Sequence, residues 1–164
     1  LAILFNLIPK IKFNKINGSY WSGQIAHLGI GVFAIGLILN VSQSYSDEFI
    51  TQEGEIITFG NQTYSVEKAY EVIKEEKDII NLPIKLNNNY KNASLNIFKN
   101  SSQQAISSPA IFRNLESDTY VTIKFIDSKS FKLIFRKNYG ILIMWIGLAL
   151  STLSVIPRIK SNEK

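Results

Sequence analysis

The single histidine of this chain, His27, is the side chain best suited to bind a ligand. It lies in an apolar run from about Trp21 to Val41, and residues 25–39 of that run contain no Asp, Glu, Lys or Arg. An ionisable side chain within such a run is costly to place in lipid, so it usually faces protein, water or a cofactor. Neutral imidazole is also a common axial ligand of haem iron, which it binds through a ring-nitrogen lone pair.

Small residues lie on the same face of the predicted helix as His27. At positions four before, four after and seven after it stand Gly23, Gly31 and Ala34. A face of this kind allows a flat macrocycle or a second helix to approach closely. These residues leave three interpretations open: a histidine hydrogen-bonded to a neighbouring helix with the small face as packing seam, a haem ligand, or a proton-relay group.

Other residues able to do chemistry are scarce. A single His excludes a multi-His metal site, and the absence of Cys excludes disulfides, zinc-thiolate sites and a CxxCH haem-attachment site on this chain. The carboxylate pairs Asp47-Glu48 and Glu75-Glu76 are typical of solvated loops. No Gly-rich phosphate loop follows a predicted strand. His27 therefore remains the one strong candidate.

Two apolar segments must position this histidine and its surroundings. They run from about Trp21 to Val41 and from about Tyr139 to Ile156, so each has 18 to 21 residues. At a rise of about 1.5 Å per residue, a helix of this length crosses a hydrocarbon core of about 30 Å. Aromatic residues stand at the ends of both segments, as interfacial anchors do. The sequence therefore predicts an integral membrane protein with two transmembrane α-helices.

The distribution of charge predicts the orientation of these helices. The 12 basic and 12 acidic residues of 42–138 cancel, so the net charge of +5 lies in the flanks, 1–41 and 157–164. A soluble nucleic-acid-binding protein would instead concentrate its positive charge on the folded domain. The positive-inside pattern predicts that both flanks are cytoplasmic and that the central region is translocated. We therefore expect a membrane partner and no nucleic acid.

The central region shows the alternation of half-buried strands. Residues 55–59 and 62–66 flank Gly60-Asn61, which favours a hairpin. Residues 120–126 and 131–136 alternate apolar and polar side chains on either side of a turn at 127–130. Residues 93–98 form another short apolar strand. These patterns predict a mostly antiparallel β domain, a small sandwich or an open barrel.

Three stretches of the central region give weaker signals. Residues 87–92 and 100–108 are rich in Asn and Ser, and we expect loops there. Residues 66–80 fit a helix about as well as a strand.

The predicted domain plan has five parts. Residues 1–20 form a cytoplasmic segment with the end of a preceding span, 21–41 a transmembrane helix, 42–138 the translocated β-rich domain, 139–156 a second transmembrane helix, and 157–164 a cytoplasmic tail. Because the chain opens on Leu1 within an apolar stretch, we expect the C-terminal part of a longer protein. A signal peptide is disfavoured, since the basic residues follow that stretch instead of preceding it.

The residues around His27 also form a pattern that resembles a known family. Trp21, the sequence Ala-His-Leu-Gly at 26–29, Gly36 and the sequence Ser-Gln-Ser-Tyr-Ser at 42–46 resemble a late span of the CcmF family, the haem lyase subunits of bacterial cytochrome c maturation. Further segments resemble later parts of that family in the same order, and with them the match covers about residues 18–157: 53–60, Tyr64 with Val66, Asn89-Tyr90, 118–121, 135–139 and 145–147.

The resemblance to the CcmF family implies a site and a function. It implies a resident haem b held by two His on different spans, with His27 as one axial ligand and the other outside this chain. Gly23, Gly31 and Ala34 would then lie beside the haem. It further implies help in transferring haem to CxxCH sites of apocytochrome c, with haem-loaded CcmE and CcmH/CcmI as partners. The location implied is the bacterial inner membrane, with the central domain periplasmic and both ends cytoplasmic.

The sequence also departs from the family. The tryptophan-rich WWD segment that contacts substrate haem is absent, since Trp21 and Trp145 stand alone, and so is the external His pair. We therefore predict no catalytic residue here and do not expect this chain alone to form thioether bonds. The competing hypothesis is a non-haem two-span membrane scaffold whose periplasmic β domain docks assembly partners.

Overall fold

The structure is a computed structural model that describes residues 18–99, 105–125 and 130–155. Within these ranges the chain forms helix α1 (Gly18–Gln43), ten strands and helix α2 (Ile141–Leu153). The strands are β1 (Tyr45–Thr51), β2 (Ile56–Phe59), β3 (Gln62–Val66), β4 (Tyr70–Ile73), β5 (Lys77–Leu86), β6 (Asn89–Phe98), β7 (Ala105–Ser108), β8 (Ala110–Arg113), β9 (Ser117–Phe125) and β10 (Phe131–Tyr139).

The described residues divide into two compact units. One is helical and contains residues 18–37 and 143–155. The other, Ile38–Leu142, contains all ten described strands.

The β unit consists of two antiparallel sheets. One has four strands in the order β1-β10-β9-β8. The other has six, in the order β2-β3-β5-β6-β7, with β4 beside β5. Both sheets supply the buried apolar side chains, so the unit is a sandwich with one core between two layers. The predicted antiparallel sandwich is confirmed.

Alternating side chains build this core, because successive residues of a strand point to opposite faces of the sheet. In β10, Phe131, Leu133 and Phe135 are buried. Phe135 lies 5.0 Å from Tyr64 and 5.3 Å from Phe59 between ring centroids, which joins the two layers through aromatic contacts.

The two predicted hairpins are present. β2 pairs with β3 from Ile56↔Ser65 to Phe59↔Gln62, and Gly60 in the turn has φ of 59°. This left-handed conformation favours glycine, because any other residue would be strained there. β9 pairs with β10, although residues 127–129 of the predicted turn at 127–130 lie outside the described residues.

Two of the predicted loops are partly wrong. Asn89 already pairs with Leu86, so the turn before β6 is only Asn87-Asn88, and 89–92 belong to the strand. Asn87 has φ of 54°, a conformation that Asn tolerates well. In the second predicted loop, Ala105–Ser108 forms β7, while residues 100–104 lie outside the described residues. The ambiguous stretch 66–80 contains strand β4 and the start of β5.

The helices differ in length. In α1, Tyr20–Gln43 provides 24 residues, long and apolar enough to cross a membrane. α2 has 13 residues, fewer than the roughly 20 that a straight crossing requires. It begins at Ile141 because Tyr139 still pairs with Ser117 in the sheet and Gly140 turns the chain with φ of 74°. The second predicted span, 139–156, therefore stays a prediction.

Candidate functional site: the His27 face of helix α1

Helix α1 packs closely against α2 at one face. A Cβ at Gly29 would lie 2.5 Å from the Ser151 hydroxyl and 2.8 Å from the Gly147 carbonyl oxygen. A Cβ at Gly147 would collide with the backbone nitrogen of Phe33. Because such contacts require the absence of side chains, the two helices cross through facing glycines, as small residues allow within membranes.

His27 lies on the other side of α1. It stands two residues before Gly29, a rotation of about 200° around a helix. Its side chain is exposed, whereas Gly29 and Gly36 are buried. Among the described residues, none forms a hydrogen bond with the His27 side chain. The face that carries His27 is therefore separate from the seam with α2.

The predicted small residues share the face of His27 and leave it open. Gly31 and Ala34 are exposed and Gly23 is half-buried. A Cβ at Gly23 or at Gly31 would meet no atom within 4 Å. The stripe that the sequence suggested as a packing seam is thus not the seam between the two described helices. It is a flat surface with room beside the imidazole.

The space between the helices lies on the seam side. Ile30, Phe33, Leu148 and Ser151 line an apolar cleft of about 240 Å³. The Ser151 hydroxyl donates a hydrogen bond to the Gly147 carbonyl oxygen, 3.0 Å away, so its polar group is satisfied within α2. None of these four described lining residues is ionisable, and His27 is not among them.

The structure brings no second metal ligand to His27. Within the described ranges, no group of three or more His, Asp or Glu side chains could hold a metal ion. Haem iron is a different case, because the porphyrin supplies four nitrogen ligands and a protein can hold the iron through one histidine. His27 is the single histidine of the chain, so a second histidine ligand would lie outside it.

The carboxylate pairs belong to the β unit. Glu48 is on β1, where its carboxylate pairs with Lys132 at 2.5 Å, and Glu75-Glu76 occupy an exposed turn. The Gln52 backbone N–H and the Thr51 hydroxyl both donate to the Glu55 carboxylate and lower its pKa. These groups stabilise turns and strand edges in the sandwich.

Asp118 is the described carboxylate whose surroundings are least favourable to its charge. Its side chain is 11% exposed, and burial raises the pKa of this carboxyl, while Arg113, with Nε 3.8 Å away, lowers it. It lies in β9, paired with Asn138, and among the described residues it belongs to no group of three or more His, Asp or Glu side chains that could hold a metal ion. We assign it no ligand.

The glycine seam is the feature of the helical unit that sequence reasoning missed. Gly29 and Gly36 recur at a spacing of seven residues, and Gly147 is the single glycine within α2. That spacing places Gly29 and Gly36 on one helix face, so the signal was present. The sequence alone did not identify α2 as the partner.

Comparison with known proteins supports the fold. No protein-family model matches the chain, and no curated protein matches its sequence. A solved structure named "Cytochrome c Heme Lyase CcmF" matches it with a TM-score of 0.77 at 11% sequence identity. The match covers 94% of this chain but only 27% of that protein. The chain therefore has the fold of about a quarter of a cytochrome c haem lyase, as its resemblance to the CcmF family predicted.

Proposed function

We propose that this chain is the C-terminal part of a haem lyase subunit in cytochrome c maturation, in which α1 holds a resident haem b through His27. The observation that carries the proposal is the position of His27 on an apolar helix, beside open glycine positions and away from the seam with α2. The likeness in fold to the haem lyase supports it.

The residues present on this face fit a porphyrin. The His27 imidazole would ligate the haem iron, and the bare backbone at Gly23 and Gly31 would leave room beside it for the macrocycle. Ala34 would extend this surface by a single methyl group. When bound, haem b supplies an iron that accepts or donates one electron. Helix α1 itself would set the position of the imidazole, and the exposed apolar side chains beside it, such as Leu28 and Ile30, would surround the ligand.

The membrane topology is part of the same proposal. We place α1 and α2 in the bacterial inner membrane, the β sandwich in the periplasm and both ends of the chain in the cytoplasm. The length of α1 and the neutral charge balance of 42–138 support this placement. Haem-loaded CcmE, CcmH/CcmI and apocytochrome c would be the partners, and haem would pass to CxxCH cysteines of the apocytochrome. Catalytic residues for that transfer would lie outside this chain.

The test is the b-type haem spectrum of the intact parent protein. We expect His27→Ala to abolish one b-type band, measured as the reduced-minus-oxidised difference and as haem per protein. His27→Gly with added imidazole should restore part of it, because the free base can occupy the vacated ligand position. Gln43→Ala, which removes a polar side chain at the exposed end of the same helix, should leave the band unchanged.

An unchanged band in His27→Ala would overturn the haem proposal. The non-haem scaffold would then account for the molecule, since a sandwich with its own core explains the folded domain without any cofactor. Loss of the band together with loss of the protein from membranes would point to misfolding, and the imidazole rescue of His27→Gly separates that case from loss of a ligand.

A further inference from the structure

A groove of about 550 Å³ runs along one side of the β sandwich, between β6 and β8. We propose that this edge groove, lined among others by Lys91, Asn92, Pro109, Ile111 and Arg113, binds an extended acidic segment of a partner polypeptide by strand addition. The inference goes beyond the proposed haem site and does not depend on it, because the groove lies wholly in the β unit.

The first wall of the edge groove is an unpaired part of β6. On one side, β6 pairs with β5 along its whole length, from Asn89↔Leu86 to Phe98↔Lys77. On the other side, β7 covers only Ser94–Ile97. Residues 89–93 therefore have no strand partner on that side within the part of the chain that the structure describes. Their free backbone groups can pair with an added chain.

The second wall is β8, the last strand of the four-stranded sheet. The Asn114 backbone N–H donates to the Ser117 carbonyl oxygen at 3.1 Å and closes the β8–β9 hairpin. Hydrogen-bonded and non-hydrogen-bonded pairs alternate along an antiparallel ladder. Counting from Asn114, the backbone groups of Ile111 and Arg113 are directed away from β9. They form the free edge that an added strand would use.

Pro109 lies where the chain crosses from one sheet to the other. The chain leaves β7 in one sheet at Ser108 and enters β8 in the other sheet at Ala110. Proline has no backbone N–H, so it cannot continue a ladder across this crossing. The Ile123 N–H donates to the Ser107 hydroxyl at 3.3 Å and holds β7 near β9. The groove lies beside this crossing and is lined by residues of both β6 and β8.

The charge of the edge groove indicates the chemistry of its partner. Lys91 and Arg113 are the two charged residues among those that line it, and both are exposed. The carboxylate nearest to Arg113, Asp118, is mostly buried and lies 3.8 Å away. An extended chain with acidic side chains would meet both cations. A second copy of this chain would bring the same cations together, which disfavours pairing of two identical edges.

Peptide binding to the full chain in lipid nanodiscs tests this inference. The probe is a short fluorescent peptide that alternates Val and Glu, and fluorescence anisotropy measures its affinity. One control peptide carries N-methyl groups at alternate residues, which keeps the charges but removes backbone donors. Another has Lys in place of Glu. We expect either change to weaken binding by about tenfold or more, equivalent to about 1.4 kcal/mol.

Variants of the protein locate the binding surface. We expect Lys91→Glu to weaken binding of the Val/Glu peptide by about tenfold, and Ile111→Pro to do the same by removing an outward N–H. Lys68→Glu makes the same charge change at an exposed position outside the edge groove and should leave the affinity unchanged. Circular dichroism verifies that each variant keeps its β structure, and Lys91→Glu decides the test if Ile111→Pro does not fold.

Three outcomes would overturn the inference. Equal binding of the N-methylated peptide would exclude strand addition, and equal weakening by Lys68→Glu would show attraction to net charge alone. Concentration-dependent dimerisation that Ile111→Pro abolishes, without peptide binding, would identify a second copy as the occupant. Each result is independent of the haem spectrum, so the two proposals can fail separately.

Discussion

The β unit buries many of its apolar side chains, whereas the helical unit leaves most of those in α1 exposed. In the sandwich, Tyr64, Leu82 and Phe135 are fully buried by residues of the same chain. In α1, only 11% of the most apolar 18-residue window is buried, and Leu28 and Ile38 are 60% and 65% exposed. An apolar surface this continuous marks a contact with lipid or protein. The sandwich thus buries its own apolar core, whereas the described residues leave most of α1 uncovered.

The two units also differ in whether their polar side chains have hydrogen-bond partners. This difference distinguishes residues that stabilise the fold from the residue proposed to bind a ligand. In the β unit, local hydrogen bonds satisfy polar groups, such as those that the Ser117 N–H and the Glu116 N–H donate to the Asn114 side chain. The helical unit carries His27, whose side chain forms no hydrogen bond with any described residue. We expect a ligand-binding side chain on a surface that the described residues leave uncovered. The candidate site therefore lies on the exposed face of α1.

Removing a central ring of the sandwich should have the largest effect on stability. Phe135 is fully buried and contacts Phe49, Phe59 and Tyr64, with ring centroids 5.5, 5.3 and 5.0 Å away. We expect Phe135→Ala to lower the free energy of unfolding by about 3–5 kcal/mol, because it removes apolar contacts and leaves a cavity. Denaturant unfolding of the full chain in micelles, followed by the β circular dichroism signal, measures the loss.

The matched control is Ile50→Ala on β1. Ile50 is 74% exposed, so truncation should change the free energy of unfolding by no more than about 0.5 kcal/mol. Similar losses for both variants would contradict the view that the sandwich draws its stability from its own core.

The two glycine faces of α1 should respond oppositely to the same substitution. Gly29→Leu forces a side chain into Ser151 and the Gly147 backbone, and overpacking of this kind costs about 1–3 kcal/mol. Gly31→Leu places the same side chain where a Cβ meets no atom within 4 Å. We expect the first substitution to separate the helices and the second to leave them paired.

Cross-linking reads out this difference. Because the chain has no Cys, Ile30→Cys and Leu148→Cys provide two unique thiols in residues that line the same cleft. A short bis-maleimide should join them in the Gly31→Leu background and much less in Gly29→Leu. In the intact parent protein Gly31→Leu should lower haem content. Equal cross-linking in both backgrounds would refute the assignment of separate faces.

The sequence predicted those elements whose pattern of apolar residues lies within a single segment of the chain. The alternation of Val121 and Ile123 in β9, and of Leu133 and Phe135 in β10, reflects burial on one face of a sheet. The length and uniform apolarity of α1 were equally evident. His27 and its small neighbours followed from helical spacing, since residues four and seven apart share a face.

The features that depend on distant contacts were not predictable. Residues 89–92 of β6 have exposed side chains, so no apolar alternation distinguishes them from a loop, and pairing with β5 decides their structure. Exposure similarly obscured β4 and β7. The glycine seam depends on which helix lies beside α1, and the edge groove depends on the approach of β6 to β8. No local sequence pattern specifies that α2 lies beside α1 or that β8 lies near β6.

A smaller effect is expected where the chain enters and leaves the β unit. The Asn40 side-chain amide donates to the Tyr139 carbonyl oxygen at 3.0 Å, between residues 99 positions apart. We expect Asn40→Ala to lower the free energy of unfolding of the β unit by about 1 kcal/mol, typical of one hydrogen bond. Ser42→Ala is the control, because the Ser42 hydroxyl donates only within its own helix, to Ile38. Equal losses would show that the long-range bond contributes nothing specific.

The smallest effect is expected from Asp118 and depends on pH. Burial raises the pKa of this carboxyl in the folded state, so the folded protein binds its proton more tightly than the unfolded chain does. Its contribution to stability is therefore present below the pKa of unfolded Asp, about 3.9, and is lost as pH rises through the higher folded value.

Asp118→Asn, which has no such charge, should gain stability relative to wild type between about pH 3 and pH 7, by an amount on the order of 0.5 kcal/mol. Glu116→Gln, at an exposed position in the adjacent turn, should show no comparable gain. Denaturant unfolding of the three proteins across this range measures the difference. A gain for Asp118→Asn that grows toward low pH would have the wrong sign, and it would mean that the ion pair with Arg113 outweighs the burial of the carboxylate.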